Sequence, residues 1–287
     1  MNCVELSAGP VEYEDSGGDG PTIVFLHGLL MDSSLWAGPI AELAGEHRCV
    51  ALTLPLGAHR RPVSPTADLS LPGIAGIVTE FLDRLDLRDV TLVGNDTGGA
   101  LVQVLARTSA PRVGRIVLAS CEAFDNLPPG LTGRVLAATG ALPPWAFGLV
   151  MQPLRLRAVR RLPLTFGWLT ARGDDTVARW VRPVLTRAAI RRDAVRAIRA
   201  VMSDRGVLVD AAADLAAFDR PALVVWARGD RVMPPEHGRR LADLLPQSRF
   251  VEIDDSRTLL PLDQPERFAE TLREFLIPDT DAPGSHR

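Results

Sequence analysis

Hydrophobic positions along this 287-residue chain fall into two kinds of run, and their alternation sets the expected fold. Short, nearly continuous apolar stretches at 22–26, 48–52, 91–94, 115–119, 222–226 and 249–253 have the pattern of strands covered on both faces. Between them, apolar residues recur with helical spacing over about 34–43, 72–85, 97–107, 235–245 and 264–275. Two shorter runs, 4–6 and 11–13, flank a turn at Gly9-Pro10 and predict edge strands. Strand-helix alternation of this kind predicts an α/β fold, a mostly parallel, doubly wound sheet with helices on both faces. The alternation stops at 122–215, where Pro128, Pro129, Pro143, Pro144, Pro163 and Pro183 punctuate helical stretches and no strand-like run occurs. That segment is expected to be a helical cap inserted into a core built from 1–121 and 216–277, with 278–287 a disordered tail.

The stretch Thr91-Leu92-Val93-Gly94-Asn95-Asp96-Thr97-Gly98-Gly99 stands out within this frame. A β-branched strand enters a turn of the form G-x-D-x-G, and a helix starts at once on the far side. Small residues on both sides suit a strained strand-to-helix turn that lifts one side chain, Asp96, off the sheet edge. A nucleotide-binding glycine turn is the rival reading. It fails because Gly94 and Gly98 do not make G-x-G-x-x-G and no acidic ribose partner follows at the usual distance.

Three further landmarks lie at successive strand ends: His27-Gly28, the loop Gly229-Asp230 through Pro234, and the helix start Gln264-Pro265-Glu266. Together with the elbow they resemble the α/β-hydrolase superfamily over nearly the whole chain, in the Asp-elbow form of haloalkane dehalogenases and epoxide hydrolases. The resemblance implies that Asp96 is a catalytic carboxylate, either nucleophile or acid/base. It implies that the backbone N–H groups of Leu29 and Thr97 form an oxyanion hole, and that Asp230 is the acid orienting a histidine. Glu122 matches the alternative acid position of some dehalogenases, and equally suits a loop ion-pair partner. No metal and no cofactor are implied.

The chain departs from the family where the relay histidine belongs. The loop 254–265 holds no histidine, and counting back from Gln264 puts Arg257 or Thr258 at that place. Neither is a general base at neutral pH. Of His27, His47, His59, His237 and His286, His59 is the candidate substitute, since its loop leaves the same sheet edge as Asp96. Thr97 stands where dehalogenases carry a halide-binding Trp, and the single Tyr, Tyr13, lies outside the cap where epoxide hydrolases need one. His27, Trp36, Trp145 and Thr258 are expected around the pocket. Three readings remain open: a non-hydrolytic enzyme in which Asp96 drives addition, cyclisation, elimination or rearrangement of an apolar molecule, as in specialised metabolism; a hydrolase with an unusual base; and a ligand receptor without turnover.

Composition narrows the partners. At 46% hydrophobic residues, a chain of this length can bury a full core. All 32 basic residues are Arg, a uniformity that points to genomic composition, so the Arg-rich segments are not read as nucleic-acid binding. No apolar run approaches the ~20 residues needed to span a bilayer, and the N-terminus lacks a signal-peptide pattern. Three widely spaced cysteines suit free thiols in a reducing compartment. A cytoplasmic monomer or homodimer acting on a hydrophobic small molecule is expected, with no nucleic-acid or membrane partner.

Overall fold

The computed structural model of the chain describes residues 1–108 and 111–277. It runs β1 (Asn2–Leu6), β2 (Gly9–Asp15), β3 (Thr22–Leu26), α1 (Ala37–Leu43), β4 (Arg48–Thr53), α2 (Leu71–Arg84), β5 (Val90–Asn95), α3 (Thr97–Thr108) and β6 (Val113–Ala119). Helices α4 (Gly130–Gly140), α5 (Pro144–Met151), α6 (Arg157–Arg160), α7 (Asp174–Thr186), α8 (Ala188–Ser203) and α9 (Val207–Leu215) follow with no strand among the described residues. The chain then returns through β7 (Ala222–Ala227), α10 (Pro235–Leu244), β8 (Ser248–Ile253), α11 (Leu260–Asp263) and α12 (Pro265–Leu276). The expected tail, 278–287, lies outside the described residues.

The eight strands form one sheet in the order β1-β2-β4-β3-β5-β6-β7-β8. β1 and β2 pair antiparallel at one edge, and every pairing from β4 to β8 is parallel. Central strands β5 and β7 are buried along their whole length, which is why they read as unbroken apolar runs. The chain leaves β3 on one side for β4 and comes back on the other for β5. The carboxyl ends of β3 and β5 therefore flank the point where strand order reverses, and there such sheets open a crevice. His27-Gly28 and Asp96 sit at those two ends.

Local chemistry explains the helix starts. Ser70 accepts the Gly73 N–H at 3.2 Å to cap α2, whose Ile74, Ile77, Val78, Phe81 and Leu82 face the core. The helix expected from residue 34 begins instead as a tight 3₁₀ turn, Ser33–Trp36, capped by Asp32 through the Ser34 N–H at 2.9 Å. The short helix α11 was not legible in the sequence.

Buried polar contacts seat the helical insertion on the sheet. The Trp180 Nε1–H of α7 donates to Asp32 Oδ1 at 2.9 Å. Asp193 of α8 accepts the Val63 N–H at 3.1 Å. Asp263 accepts the Thr170 hydroxyl at 2.6 Å and the Ala171 and Arg172 N–H groups at 2.9 and 3.0 Å.

Close backbone approach fixes the elbow. A Cβ on Gly98 would collide with the Leu26 carbonyl of β3, and one on Gly28 with the Asp96 carboxylate. Gly98→Ala is expected to destabilise the protein by ~1–3 kcal/mol, since the obstruction is backbone that cannot swing aside. Urea denaturation checks this; an unchanged midpoint would show that the elbow has slack.

Candidate active site

Asp96 adopts φ +55°, a left-handed conformation that Asp tolerates better than most residues. This kink turns the carboxylate back over the start of α3. Its Oδ1 accepts the Thr97 N–H at 2.8 Å and the Thr97 hydroxyl at 3.1 Å, and the Leu29 N–H also favours its anion. The two expected oxyanion-hole donors, Leu29 and Thr97, thus hold the Asp96 carboxylate itself instead of standing free for a substrate oxygen. Burial opposes these donors and wins: the Asp96 pKa is raised to about 6, with the Asp230 charge adding to the rise.

Glu122, just past β6, lies on the other side of Thr97. The Thr97 hydroxyl is 2.9 Å from Glu122 Oε1. One hydroxyl carries one hydrogen, so it cannot donate to two carboxylates at once. A proton on one of the pair would relieve the shortage. Burial first, and then the Asp96 charge, pushes Glu122 well above the usual carboxylate range, so Glu122 is the member that favours the neutral form. Its Oε2 is buried without a protein partner. Of the two sequence readings of Glu122, the ion pair is absent among the described residues, and a hydroxyl shared with Asp96 stands in its place.

Asp230 sits in its loop with Oδ1 accepting the Val232 and Met233 N–H groups, both at 2.9 Å, and the Thr258 hydroxyl at 2.8 Å. Its Oδ2 is buried. Thr258, rather than Arg257, therefore stands against the acid where a relay histidine would. The Arg257 guanidinium turns away to the Gly167 and Thr170 carbonyls. Asn95 fixes this geometry by donating from Nδ2 to the Thr258 carbonyl at 2.7 Å and the Ala119 carbonyl at 2.8 Å.

Several sequence expectations are corrected. His59 does not reach the pocket: its Nε2 faces Asp193 at 3.4 Å and its Nδ1 accepts from Gly57, so it joins α8 to the loop after β4. His27 is buried and does not line the cavity. Its Nε2 accepts the Leu54 N–H at 2.9 Å, which leaves Nδ1 to donate to the Gly28 carbonyl, and burial lowers its pKa to about 4. Trp36 packs in the core between Phe25 and Phe268. Trp145 points outward, 68% exposed. Thr258 is buried, does not line the cavity and donates to Asp230.

A cavity of about 210 Å³ lies over Asp96 and Glu122. Its walls come from the loop after β3 and from the insertion, including Leu30, Leu136, Met151, Leu154 and Phe166. No arginine and no histidine lines it among the described residues. Besides the two carboxyls it offers a few threonines, and the Thr132 hydroxyl is buried without a partner. Sequence reasoning missed two features here. The role of the Thr97 side chain depends on Glu122, 25 residues away, and Thr132 carries no motif. Among the described residues no cluster of His, Cys, Asp or Glu could hold a metal ion.

A parallel sheet with its carboxylate elbow at the strand-order reversal defines a hydrolase-type α/β architecture. The chain belongs to the alpha/beta hydrolase fold family, whose model matches residues 21–265. It resembles the dehalogenase-like branch: haloalkane dehalogenase 2 of Mycobacterium tuberculosis is 27% identical over 276 residues, covering 94% of this chain and 92% of that one. A pimeloyl-[acyl-carrier protein] methyl ester esterase of Aeromonas hydrophila is 26% identical over 267 residues, covering 90% of this chain and 96% of the esterase. In three dimensions, an alpha/beta hydrolase fold protein from Burkholderia ambifaria superposes with a TM-score of 0.78 at 23% identity, covering 95% and 97% of the two chains.

The raised Asp96 pKa has a sign for stability. Unfolded, the carboxyl titrates near 3.8, and folded, near 6, so the folded state loses stability as pH rises through that window. At pH 7.5 the ionised group costs on the order of 3 kcal/mol. Asn accepts the same N–H and tolerates the same φ, so Asp96→Asn is expected to raise the melting temperature at pH 7.5. The gain should fade towards pH 4. Calorimetry of both forms across that range checks it, and a variant no more stable at pH 7.5 would refute the buried charge.

Proposed function

We propose that the protein is an enzyme that moves protons on a neutral, lipophilic carbonyl compound. Asp96 acts as base and Glu122 as acid, giving addition, cyclisation, elimination or rearrangement without hydrolysis. One observation carries the reading: two carboxyls share the Thr97 hydroxyl at the floor of an apolar cavity, while the relay position holds Thr258. Neighbouring titratable groups whose surroundings push their pKa values apart mark an acid/base pair. An anionic ligand is disfavoured, because the cavity wall offers it no cation.

In this scheme the ionised Asp96 removes a proton beside the carbonyl as Glu122 protonates the carbonyl oxygen, giving an enol. Asp96 then delivers its proton to another carbon, or to the oxygen of a second carbonyl that the enol attacks, while Glu122 takes back the enol proton, so both groups are restored. Acid–base assistance of this kind is worth roughly 10²–10⁴-fold. An alkyl ester on Asp96 would instead persist, since Thr258 has no basic nitrogen to activate water.

Exchange of carbonyl-adjacent protons for deuterium in a panel of lipophilic cyclic ketones, followed by NMR in D₂O, tests the scheme. Exchange should rise with pH through about 6 as Asp96 ionises. Asp96→Asn and Glu122→Gln should each reduce it by at least about 100-fold. Full exchange in both variants would sink the assignment.

The contact of Thr258 with Asp230 gives a second test. Thr258→His is expected to place a ring nitrogen against Asp230 and to create slow hydrolytic turnover of a haloalkane. Wild type treated with the same reagent should give no more than a stable mass adduct on Asp96. Steady hydrolysis by the wild type would overturn the non-hydrolytic reading.

A further inference from the structure

α5 reads Pro-Trp-Ala-Phe-Gly-Leu-Val-Met and carries no polar side chain on any face. Its inner side, Phe147, Gly148 and Met151, is buried against the rest of the insertion. Its outer side is bare: Trp145, Leu149 and Val150 are 68%, 63% and 52% exposed. A helix apolar all round is normally enclosed, in a protein core or in lipid. Further exposed apolar side chains stand on the neighbouring segments: Leu131 and Val135, one turn apart on α4, and Leu156 and Leu162 just beyond α5. Val135 and Val150 belong both to this outer surface and to the wall of the cavity above Asp96, so the patch reaches the cavity's edge.

The charge around it has one sign. From 126 to 173 the sequence contains six arginines and no acidic residue. Arg157 and Arg160 are balanced by Asp174, and Arg172 by Asp255. Arg134, Arg155 and Arg161 are exposed and form no ion pair among the described residues. Arg134 lies on the Leu131–Val135 stripe of α4, Arg155 is next to Leu156, and Arg161 is next to Leu162. Apolar side chains with a Trp, interleaved with unpaired arginines, form the surface that interfacial helices present to anionic lipid.

We propose that this face docks the protein on an anionic lipid bilayer, with α5 in the headgroup boundary and the cavity mouth open to the acyl layer. No helix among the described residues is long and apolar enough to cross a membrane, so the attachment is to one leaflet. A second copy of the chain is the weaker occupant, because a two-fold contact would set each copy's unpaired arginines against the same positive face. The bilayer offers what the patch lacks, negative charge at the rim and hydrocarbon beneath. The docking is independent of the chemistry assigned to Asp96 and Glu122, and its test reads no turnover.

Vesicle flotation of the full chain decides it. The protein should float with phosphatidylcholine vesicles containing phosphatidylglycerol, float less with phosphatidylcholine alone, and be released as salt rises to about 1 M. Binding should fall about fivefold for each of Arg155→Gln and Arg161→Gln, the roughly 1 kcal/mol expected per basic residue near an anionic surface. The double variant Trp145→Ser/Leu149→Ser should stay unbound while keeping the wild-type melting temperature. Absence of flotation at every composition would overturn the proposal, as would unchanged flotation of that double variant. A dimer seen by sedimentation and dissolved by Leu149→Ser would also overturn it, by assigning the face to self-association.

Discussion

The hydroxyl of Thr97 lies within hydrogen-bond reach of both Asp96 and Glu122, yet it has a single hydrogen to give. Everything distinctive about the site follows from that shortage. Two ionised carboxylates on one hydroxyl, in an apolar enclosure, would repel each other and leave an oxygen facing a lone pair. Burial relieves this by pushing both carboxyls towards the neutral form, Glu122 well above the usual carboxylate range and Asp96 to about 6. The backbone N–H groups of Thr97 and Leu29 decide which of the two carries the charge, because they face Asp96 and not Glu122.

That arrangement depends on the sheet. β3, β5 and β6 are parallel neighbours, so Leu29, Asp96 and Glu122 leave adjacent strand ends on the same edge. The glycines at 28 and 98 allow those ends to approach within contact distance. The insertion then closes an apolar space over them and removes water, which strengthens both the repulsion and the hydrogen bonds that relieve it. Its attachment through Asp32, Asp193 and Asp263 uses buried carboxylates that accept from backbone, hydroxyl and indole donors.

Much of this was legible in the sequence, because the signals are local. Unbroken apolar runs marked the buried strands, proline clusters marked the helical insertion, and G-x-D-x-G marked the elbow at Asp96. Contacts between distant segments were not legible. His59 shares the correct sheet edge, but Asp193, 134 residues later, takes its ring nitrogen. Trp36 and Trp145 have the same composition signal, yet one is sealed between Phe25 and Phe268 and the other faces outward. Counting placed the missing histidine at 257 or 258, and the hydrogen bond from Thr258 to Asp230 distinguished them.

Asp230 keeps a duty that has nothing to do with a histidine. Its Oδ1 gathers two backbone N–H groups of its own loop, and the Ser120 side chain also favours its anion. An aspartate here holds its loop together whatever stands opposite it, so its presence alone says little about a relay; the residue opposite it, seven places before the proline that opens the last helix, says more.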